Sequence, residues 1–208
     1  MISEINYTLI TDGSSDRTLM QIINWSLNDL FPRLPFNGVY ADFASIYQKP
    51  KLLKDKIRIA KQYYPFNLLF IHRDAESTNL DFIDKRIDEI KSQIDDNSNN
   101  ILVCVIPVKM METWLLIDEY AIKRAAGNRN YRNVINLPRI NYLETTQNPK
   151  DELHNILNEI AGKKRKLNTH KAIHLVAEYI TDFSPLRKLV AFNRFEEELI
   201  TKVNNLTN

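Results

Sequence analysis

Five acidic residues follow three apolar runs of this chain, a short distance beyond the end of each run. They are Asp12, Asp16, Asp74, Glu76 and Glu112, and the runs are Tyr7–Thr11, Asn67–His72 and Ile101–Val108. If the runs are parallel strands of one sheet, the carboxylates meet at one edge and repel each other unless a cation lies among them. Mg²⁺ and Mn²⁺ take oxygen ligands and would relieve that repulsion. The spacing therefore predicts a divalent-metal site, whereas each acid alone could be a helix cap or a solvated loop residue.

The stretch 66-FNLLFIHRDAESTN-79 also contains His-Arg-Asp with an Asn five residues after the Asp, which is the spacing of a protein-kinase catalytic loop. A kinase needs a Gly-rich loop, and the four glycines, at positions 13, 38, 127 and 162, are too far apart to form one. No Asp-Phe-Gly follows Asn79. The Asp-x-Glu at the end of an apolar run is therefore the better interpretation of this stretch.

The first 120 residues alternate strand-like and helix-like segments in the order β-α-β-α-β-α-β-α. The strand candidates are Tyr7–Thr11, Val39–Phe43, Asn67–His72 and Ile101–Val108. Helical periodicity or composition indicates helices from Ser14 or Ser15 to about Leu30, and over Lys51–Tyr64, Leu80–Asp96 and Met111–Tyr120. This alternation predicts an α/β fold with a Rossmann-like, mostly parallel sheet flanked by helices. Such sheets bind ligands at the carboxyl ends of their strands.

The pattern changes after Asp118. Residues 121–148 are rich in Arg, Asn and Tyr without a clear period, which indicates an excursion or a long loop. The segment 149-PKDELHNILNEIAG-162 predicts a helix with Pro at its start and Gly at its end, and about 167–203 also predicts helices. We expect a catalytic α/β core over 1–120 and a basic, mainly helical elaboration over 121–208 that packs on the core.

Composition narrows the class of protein. The chain has 208 residues, of which 44% are hydrophobic, and no apolar run reaches the roughly 18 residues that a membrane span needs. The N-terminus shows no basic segment followed by an apolar stretch, so we expect a cytoplasmic protein without a membrane association. Cys104 is the single cysteine and lies in an apolar run, which predicts a buried residue rather than a disulfide or a cysteine-based zinc site.

Charge is distributed unevenly along the chain. Residues 1–120 have a net charge of −4 and residues 121–208 a net charge of +6. Within 121–171 there are 11 Lys or Arg residues and 4 acids, with Tyr131 and Tyr142 among them. This pattern predicts a surface that binds the nucleic-acid backbone, and a solvated loop or a docking surface for an acidic partner is the alternative. The predicted contact residues are Lys123, Arg124, Arg129, Arg132, Lys163, Lys164, Arg165 and Lys166.

Three segments of the chain resemble a known family. The segments 8-TLITDGSSDRTL-19 and 70-FIHRDAES-77 resemble the two acidic motifs of TOPRIM domains, and 106-IPVKMMETWLLID-118 resembles a signature of small TOPRIM-like bacterial proteins. The chain is thus similar over about 1–120 to the nuclease domains of the overcoming-lysogenization-defect (OLD) family and to proteins of phage-defence islands. The family usually has Glu at the position of Asp12 and Asp at the position of Glu76, and each exchange moves a carboxylate by one methylene.

The resemblance implies metal-assisted phosphoryl transfer, which these residues suit chemically. Asp74 and Glu76 would be the principal ligands of Mg²⁺ or Mn²⁺, and Asp12 and Asp16 would hold a second ion or act as general acid and base. Glu112 would complete the shell or orient a ligand. Lys109 or Lys171 would stabilise the transition-state phosphate. His72 and His170 could each be a ligand or a structural residue with satisfied hydrogen bonds.

These observations lead to a hypothesis of a divalent-metal-dependent nuclease, acting on DNA rather than RNA, as an effector of antiphage defence. The chain contains no G-x-x-x-x-G-K-[ST] motif, so a separate ATPase or sensor protein would be its partner. A homodimer is compatible with the sequence. Two alternatives remain at this point: a non-catalytic adaptor that binds nucleic acid or a partner protein, and a metal-dependent nucleotide phosphohydrolase.

Overall fold

The sheet is four-stranded and entirely parallel. A computed structural model describes residues 4–44, 46, 49–64, 66–162 and 166–207. The strands lie in the order β2-β1-β3-β4. Their bounds are β1 Ile5–Ile10, β2 Phe36–Tyr40, β3 Leu68–His72 and β4 Leu102–Val105. The α/β fold with a parallel, Rossmann-like sheet is as the sequence predicts, and the four strands overlap the four strand candidates, with bounds that differ by up to three residues.

Helices connect the strands and extend the chain beyond the sheet. They are α1 Leu19–Leu30, α2 Leu53–Tyr63, α3 Asp81–Lys91, α4 Asp96–Asn99, α5 Glu119–Ala125, α6 Pro149–Ala161, α7 Thr169–Tyr179 and α8 Val190–Thr207. Among the residues that the structure describes, four 3₁₀ turns cover Ser14–Thr18, Met111–Trp114, Ile140–Thr145 and Ser184–Lys188. The predicted helix at 149–162 is confirmed, with Pro149 as its first residue and Gly162 after its end at φ +77°.

The single helix predicted over Met111–Tyr120 is wrong. A 3₁₀ turn ends at Trp114, and α5 starts afresh at Glu119 after Asp118, whose Oδ1 accepts a hydrogen bond from the Ala121 amide at 2.9 Å. The physical reason is burial, because every residue of 111–116 is buried. A continuous α-helix at the edge of a core would turn about half of those side chains toward solvent.

One hydrophobic core includes side chains from both halves of the chain. Trp114 meets Phe192 of α8 edge-to-face at 5.2 Å between ring centroids, and Phe70 of β3 lies 6.3 Å from Phe195. The Cys104 amide on β4 donates a hydrogen bond to Glu198 Oε2 at 2.7 Å, so α8 also satisfies a donor of this outer strand. Cys104 is buried, as predicted, and burial raises the pKa of its thiol.

A close approach between β1 and β2 requires glycine. The Tyr7 ring on β1 lies against Gly38 on β2, where an added Cβ atom would stand 2.1 Å from the ring. The buried Tyr7 hydroxyl donates to Asn24 Oδ1 at 2.5 Å, and burial raises its pKa. The contact fixes β2 and α1 on β1. In the part of the chain that is described, no helix combines the length and apolarity that crossing a bilayer requires.

Candidate metal and phosphodiester site

The strand order creates a crevice between β1 and β3. The connection that leaves β1 runs to β2 on one side, and the connection that leaves β3 runs to β4 on the other. Ligands of open α/β sheets bind outside the carboxyl ends of the strands at such a switch point. Asp12 and Asp74 each stand two residues beyond the end of β1 and β3 respectively. The fold therefore places predicted acids at the position where its topology favours a ligand.

A cleft of about 350 Å³ lies at this point. It is lined by Asp12, Asp16, His72, Arg73, Asp74, Glu76 and Arg86. Four of the five predicted metal ligands thus line one cleft, and the fifth, Glu112, acts on it electrostatically because its charge raises the pKa of Asp74. The sequence prediction that three strand ends bring acids to one edge agrees with this arrangement.

Local hydrogen bonds in the turn after β1 hold the Asp16 carboxylate toward the cleft. Its Oδ2 accepts from the Gly13 amide at 3.1 Å, and its Oδ1 accepts from the Ser15 hydroxyl at 3.0 Å. The Thr11 hydroxyl donates to the Gly13 carbonyl at 2.6 Å and tightens the same turn. Asp16 is therefore positioned by its own loop, with Oδ2 at 3.8 Å from His72 Nε2.

The His72 ring is oriented by a neighbouring strand. Its Nδ1 lies 2.9 Å from the Val105 carbonyl oxygen, and because a carbonyl can only accept, Nδ1 carries the proton. The other nitrogen, Nε2, faces Asp74 Oδ1 at 3.4 Å and Asp16 Oδ2 at 3.8 Å. Metal-ligating histidines are commonly fixed by such a bond from the second ring nitrogen. Nε2 carries a proton toward the two carboxylates when the ring is charged, and it has a lone pair for a metal ion when the ring is neutral.

Asp74 is the least satisfied acid of the cleft. Its Oδ1 is buried and, within the described residues, has no hydrogen-bond partner. Burial raises the pKa of Asp74 to about 6; His72 opposes this rise, and the negative charges of Asp16 and Glu112 add to it. Glu112 is 6% exposed, and burial above all raises its pKa as well. The negative charge of Asp16 therefore disfavours the ionised forms of both Asp74 and Glu112.

The chemical types of these side chains are those that bind a hard divalent cation. Carboxylate oxygens are the ligands that Mg²⁺ and Mn²⁺ prefer, and a neutral imidazole is compatible with Mn²⁺. A cation would also satisfy the orphaned Asp74 Oδ1 and relieve the repulsion among the acids. As they stand, however, no three His, Cys, Asp or Glu side chains of the described residues form a group that could hold a metal ion. Binding an ion would therefore require side chains to move inward.

The two acids that depart from the family pattern are engaged by cations. Asp12 lies 3.0 Å from Lys56 Nζ and 3.4 Å from Arg73 Nε, and its side chain is 58% exposed. Glu76 lies 2.5 Å from an Arg86 nitrogen, and its side chain is 73% exposed. A metal ion that recruited either acid would have to displace these partners, whereas in the described part of the chain neither Asp16 nor Asp74 has a Lys or Arg within 4.0 Å.

The loops after β3 and β4 are held together in strained conformations. Glu76 has φ +58° and Lys109 has φ +65°, which is the left-handed region that favours glycine. The Glu76 amide donates to the Lys109 carbonyl at 3.0 Å, and the Lys109 amide donates to the Ser77 carbonyl at 3.1 Å. Lys109 Nζ donates to the Glu76 carbonyl at 3.3 Å. Such strain concentrates at functional sites, and it places the predicted cation Lys109 beside Glu76.

Helix α6 brings two basic side chains toward Glu112 that the sequence did not identify as site residues. This helix packs against the 3₁₀ turn 111–114, and the charges of Lys150 and His154 lower the pKa of Glu112 against the effect of burial. The sequence feature that could have pointed to these residues is the segment 149-PKDEL-153, which begins a helix with Pro. Lys171, by contrast, is exposed near the start of α7, where its amide donates to Asn168 Oδ1 at 3.0 Å.

Several of the predicted nucleic-acid contacts are engaged within the protein. Lys123 pairs with Glu119 at 2.6 Å, the Arg124 guanidinium lies 3.8 Å from the centroid of the Tyr179 ring, and Arg129 donates to the Tyr120 hydroxyl. The exposed members of the set are Arg124, Arg129, Arg132 and Lys166. Lys163, Lys164 and Arg165 lie outside the described residues. A basic nucleic-acid surface in this half of the chain stays a prediction.

Comparison of the chain with protein-family models, with curated proteins and with solved structures found no match. A functional conclusion therefore depends on the chemistry of this chain's own residues. The strongest of these are the carboxylates at the switch point and the imidazole that faces two of them.

Proposed function

We propose that the protein is a divalent-metal-dependent nuclease that hydrolyses phosphodiester bonds of nucleic acid in the cleft between β1 and β3. The observation that carries the proposal is the orphaned, buried Asp74 Oδ1, which lies among carboxylates and 3.4 Å from an imidazole nitrogen. A buried carboxylate oxygen without a hydrogen bond, at the ligand-binding point of an α/β sheet, is costly unless a cation joins it.

Each residue has a chemical role in this proposal. Asp16, His72 and Asp74 would hold Mg²⁺ or Mn²⁺, and Glu112 would orient the ion or its water. The ion, when bound, supplies a Lewis acid for the phosphate and lowers the pKa of a bound water. Lys150 brings positive charge to the Glu112 side of the site, where it would oppose charge that develops on the phosphate. Asp12 and Glu76, with their ion-pair partners, line the outer part of the cleft and would meet the substrate there.

The titration of Asp74 gives the proposed activity a pH dependence. Its pKa of about 6 means that the free site carries a proton on Asp74 at lower pH. A metal ligand must be deprotonated, so metal binding releases this proton and becomes weaker as the pH falls below about 6. Cleavage should accordingly be faster at neutral than at mildly acidic pH.

The resemblance to TOPRIM and OLD-family nuclease domains supports the reaction class and suggests its setting. In that setting the protein would be a cytoplasmic effector of antiphage defence that cuts DNA rather than RNA. A separate ATPase or sensor protein would control it, and two copies could act together as a homodimer. The parallel sheet agrees with this resemblance without distinguishing it from other Rossmann-like folds.

A non-catalytic adaptor is the second candidate, and one observation favours it. The ion pairs of Asp12 with Lys56 and of Glu76 with Arg86 compensate two predicted acids without a metal. An adaptor would bind nucleic acid or a partner equally well after the loss of Asp74. A nucleotide phosphohydrolase, the third candidate, would use the same metal chemistry and ignore polymers.

Incubation with plasmid DNA and with RNA in Mg²⁺, Mn²⁺ or EDTA tests the proposal. We expect cutting that requires the metal and is lost in the Asp74→Asn variant. The matched control is Asp81→Asn, because Asp81 is an exposed residue at the start of α3. Cutting that persists in Asp74→Asn would remove the site from the reaction, and retained binding without any cutting would support the adaptor.

A further inference from the structure

A second pocket, of about 640 Å³, adjoins the acidic cleft. Asp16 lines the cleft, and the next two residues of the same 3₁₀ turn, Arg17 and Thr18, line the pocket. Its other walls come from Tyr40 at the end of β2 and from His174 on α7. Consecutive residues of one turn therefore line the cleft and the pocket.

Arg17 is the available cation of the pocket. Its guanidinium carbon lies 5.9 Å from the centroid of the Tyr40 ring. Arg73 and Arg86 of the cleft, and the nearby Lys56, each have a carboxylate within 4.0 Å. Arg17 has no carboxylate at that distance in the stretches of chain that are described, and it is exposed. Its charge is free for a ligand.

The orientation of His174 leaves one ring nitrogen for a ligand. The Thr18 hydroxyl donates to the Ser15 carbonyl at 2.9 Å, so the contact of 2.5 Å between Thr18 Oγ1 and His174 Nδ1 is donated by the ring. Nε2 is not used by this contact. Burial above all lowers the pKa of His174; the charges of His170 and Arg17 add to this effect, and those of Glu178 and Asp16 oppose it. In the neutral ring that burial favours, Nε2 has a lone pair and can accept a hydrogen bond from a base amino group.

We propose that this pocket binds the nucleotide next to the scissile phosphodiester, with Arg17 facing its phosphate and with Tyr40 and the acceptor nitrogen Nε2 of His174 beside its base. The assignment rests on the proposed nuclease function. Asp42 and Glu178 line the same pocket. Their carboxylates can accept hydrogen bonds from base amino groups and repel additional phosphates, so the pocket suits one nucleotide of a strand rather than a free polyphosphate.

Binding of a fluorescently labelled single strand, followed by anisotropy over a range of salt concentrations, tests the proposal without cleavage. All proteins carry Asp74→Asn and are measured in EDTA. We expect Arg17→Gln to weaken binding about tenfold, the loss of one charged hydrogen bond. The slope of log affinity against log salt should fall by about 0.7, the value for one phosphate contact of a single strand. His174→Gln should also weaken binding.

The control is Arg58→Gln, which removes the same charge from an exposed site on α2 whose side chain is 70% exposed. Equal effects of Arg17→Gln and Arg58→Gln, or a protein that binds no strand, would overturn the assignment of the pocket. A second assay tests the nuclease function independently of the pocket. It measures hydrolysis of bis(p-nitrophenyl) phosphate, a diester without a flanking nucleotide. With Asp74 intact, the wild-type protein and Arg58→Gln should hydrolyse this diester in Mn²⁺ at the same rate.

The two failures are then distinguishable. Hydrolysis of the diester together with strand binding that ignores Arg17 would overturn the pocket alone. Strand binding that depends on Arg17, in a protein that hydrolyses neither the diester nor the strand, would overturn the nuclease. The pocket would then be the nucleic-acid site of an adaptor.

Discussion

Replacing Asp74 by Asn should stabilise the metal-free protein while it abolishes activity. Asn keeps the shape of the side chain and can still accept the hydrogen bond that Asp74 receives from the Met111 amide. It removes the buried negative charge that Asp16 and Glu112 disfavour. Loss of function with a gain in stability is the expected signature of a residue kept for its chemistry.

The size of the stabilisation follows from the pKa. A rise from 3.8 to about 6 corresponds to about 3 kcal/mol for the ionised form at neutral pH. The side chain as a whole is 33% exposed, and solvent screening reduces this to about 1–2 kcal/mol. For a chain of this size, such a change raises the unfolding temperature by about 2–8 °C.

The stabilisation should depend on pH with a definite sign. The folded pKa of Asp74 lies above its ordinary value of 3.8, so between 3.8 and about 6 the folded protein holds more protons than the unfolded chain. Wild-type stability therefore falls as the pH rises through this window, and Asp74→Asn escapes that fall. The difference between the two proteins should be complete above about pH 6 and should vanish below about pH 4.

Urea unfolding in EDTA at about pH 8 and about pH 4 measures the free energy of unfolding in both regimes. Asp81→Asn is the control, because Asp81 is exposed and should show no comparable pH-dependent gain. If Asp74→Asn were no more stable than the wild-type protein at about pH 8, the carboxylate would not be under electrostatic strain in the folded state, and the reasoning would be refuted.

Three further predictions concern the scaffold and the site. Arg187→Ala should lower the free energy of unfolding by about 3 kcal/mol in urea titrations, because it leaves the buried Glu196, 2.7 Å from Arg187, without its ion pair. Gly38→Ala should destabilise by about 1–3 kcal/mol in the same assay, since the added methyl group meets the Tyr7 ring. Lys150→Gln should lower kcat for strand cleavage about a hundredfold with metal affinity retained, because it removes a cation near the reacting phosphate.

Each of these has a matched comparison. Arg194→Ala breaks an exposed pair with Asp84 and should cost less than about 1 kcal/mol, so equal losses would contradict the importance of burial. Tyr7→Leu combined with Gly38→Ala should cost less than the two changes added together, because removing the ring makes room for the methyl group. A loss of kcat in Lys171→Gln without one in Lys150→Gln would transfer the cationic role to α7.

The sequence predicted the strands and the position of the acids because both depend on local patterns. Apolar runs of four to six residues form the sheet, and parallel strands must end at one edge. The bounds of α6 were predicted correctly for the same reason, because Pro149 and Gly162 are local signals for the start and the end of a helix. The helix predicted over Met111–Tyr120 was wrong because residues 111–116 are all buried, so this segment has no exposed face of the kind that a helix at the edge of the core would have.

The arrangement inside the cleft could not be predicted, because it depends on contacts between distant parts of the chain. The tautomer of His72 is set by the Val105 carbonyl on the neighbouring strand. The pairing of Asp12 with Lys56 joins the end of β1 to α2. Neither contact can be inferred from the spacing of residues in the sequence. The influence of Lys150 on Glu112 likewise requires knowledge of how α6 packs.

Titration of Mn²⁺ into the protein, followed by the EPR signal of the free ion, tests the central claim most directly. At about pH 8 the wild-type protein and Asp81→Asn should bind the ion equally, and Asp74→Asn should bind it at least about tenfold more weakly. Binding to the wild-type protein should also weaken as the pH falls below about 6. A wild-type protein that binds no Mn²⁺, or an Asp74→Asn variant that binds it as well, would contradict a metal site at the ends of β1 and β3.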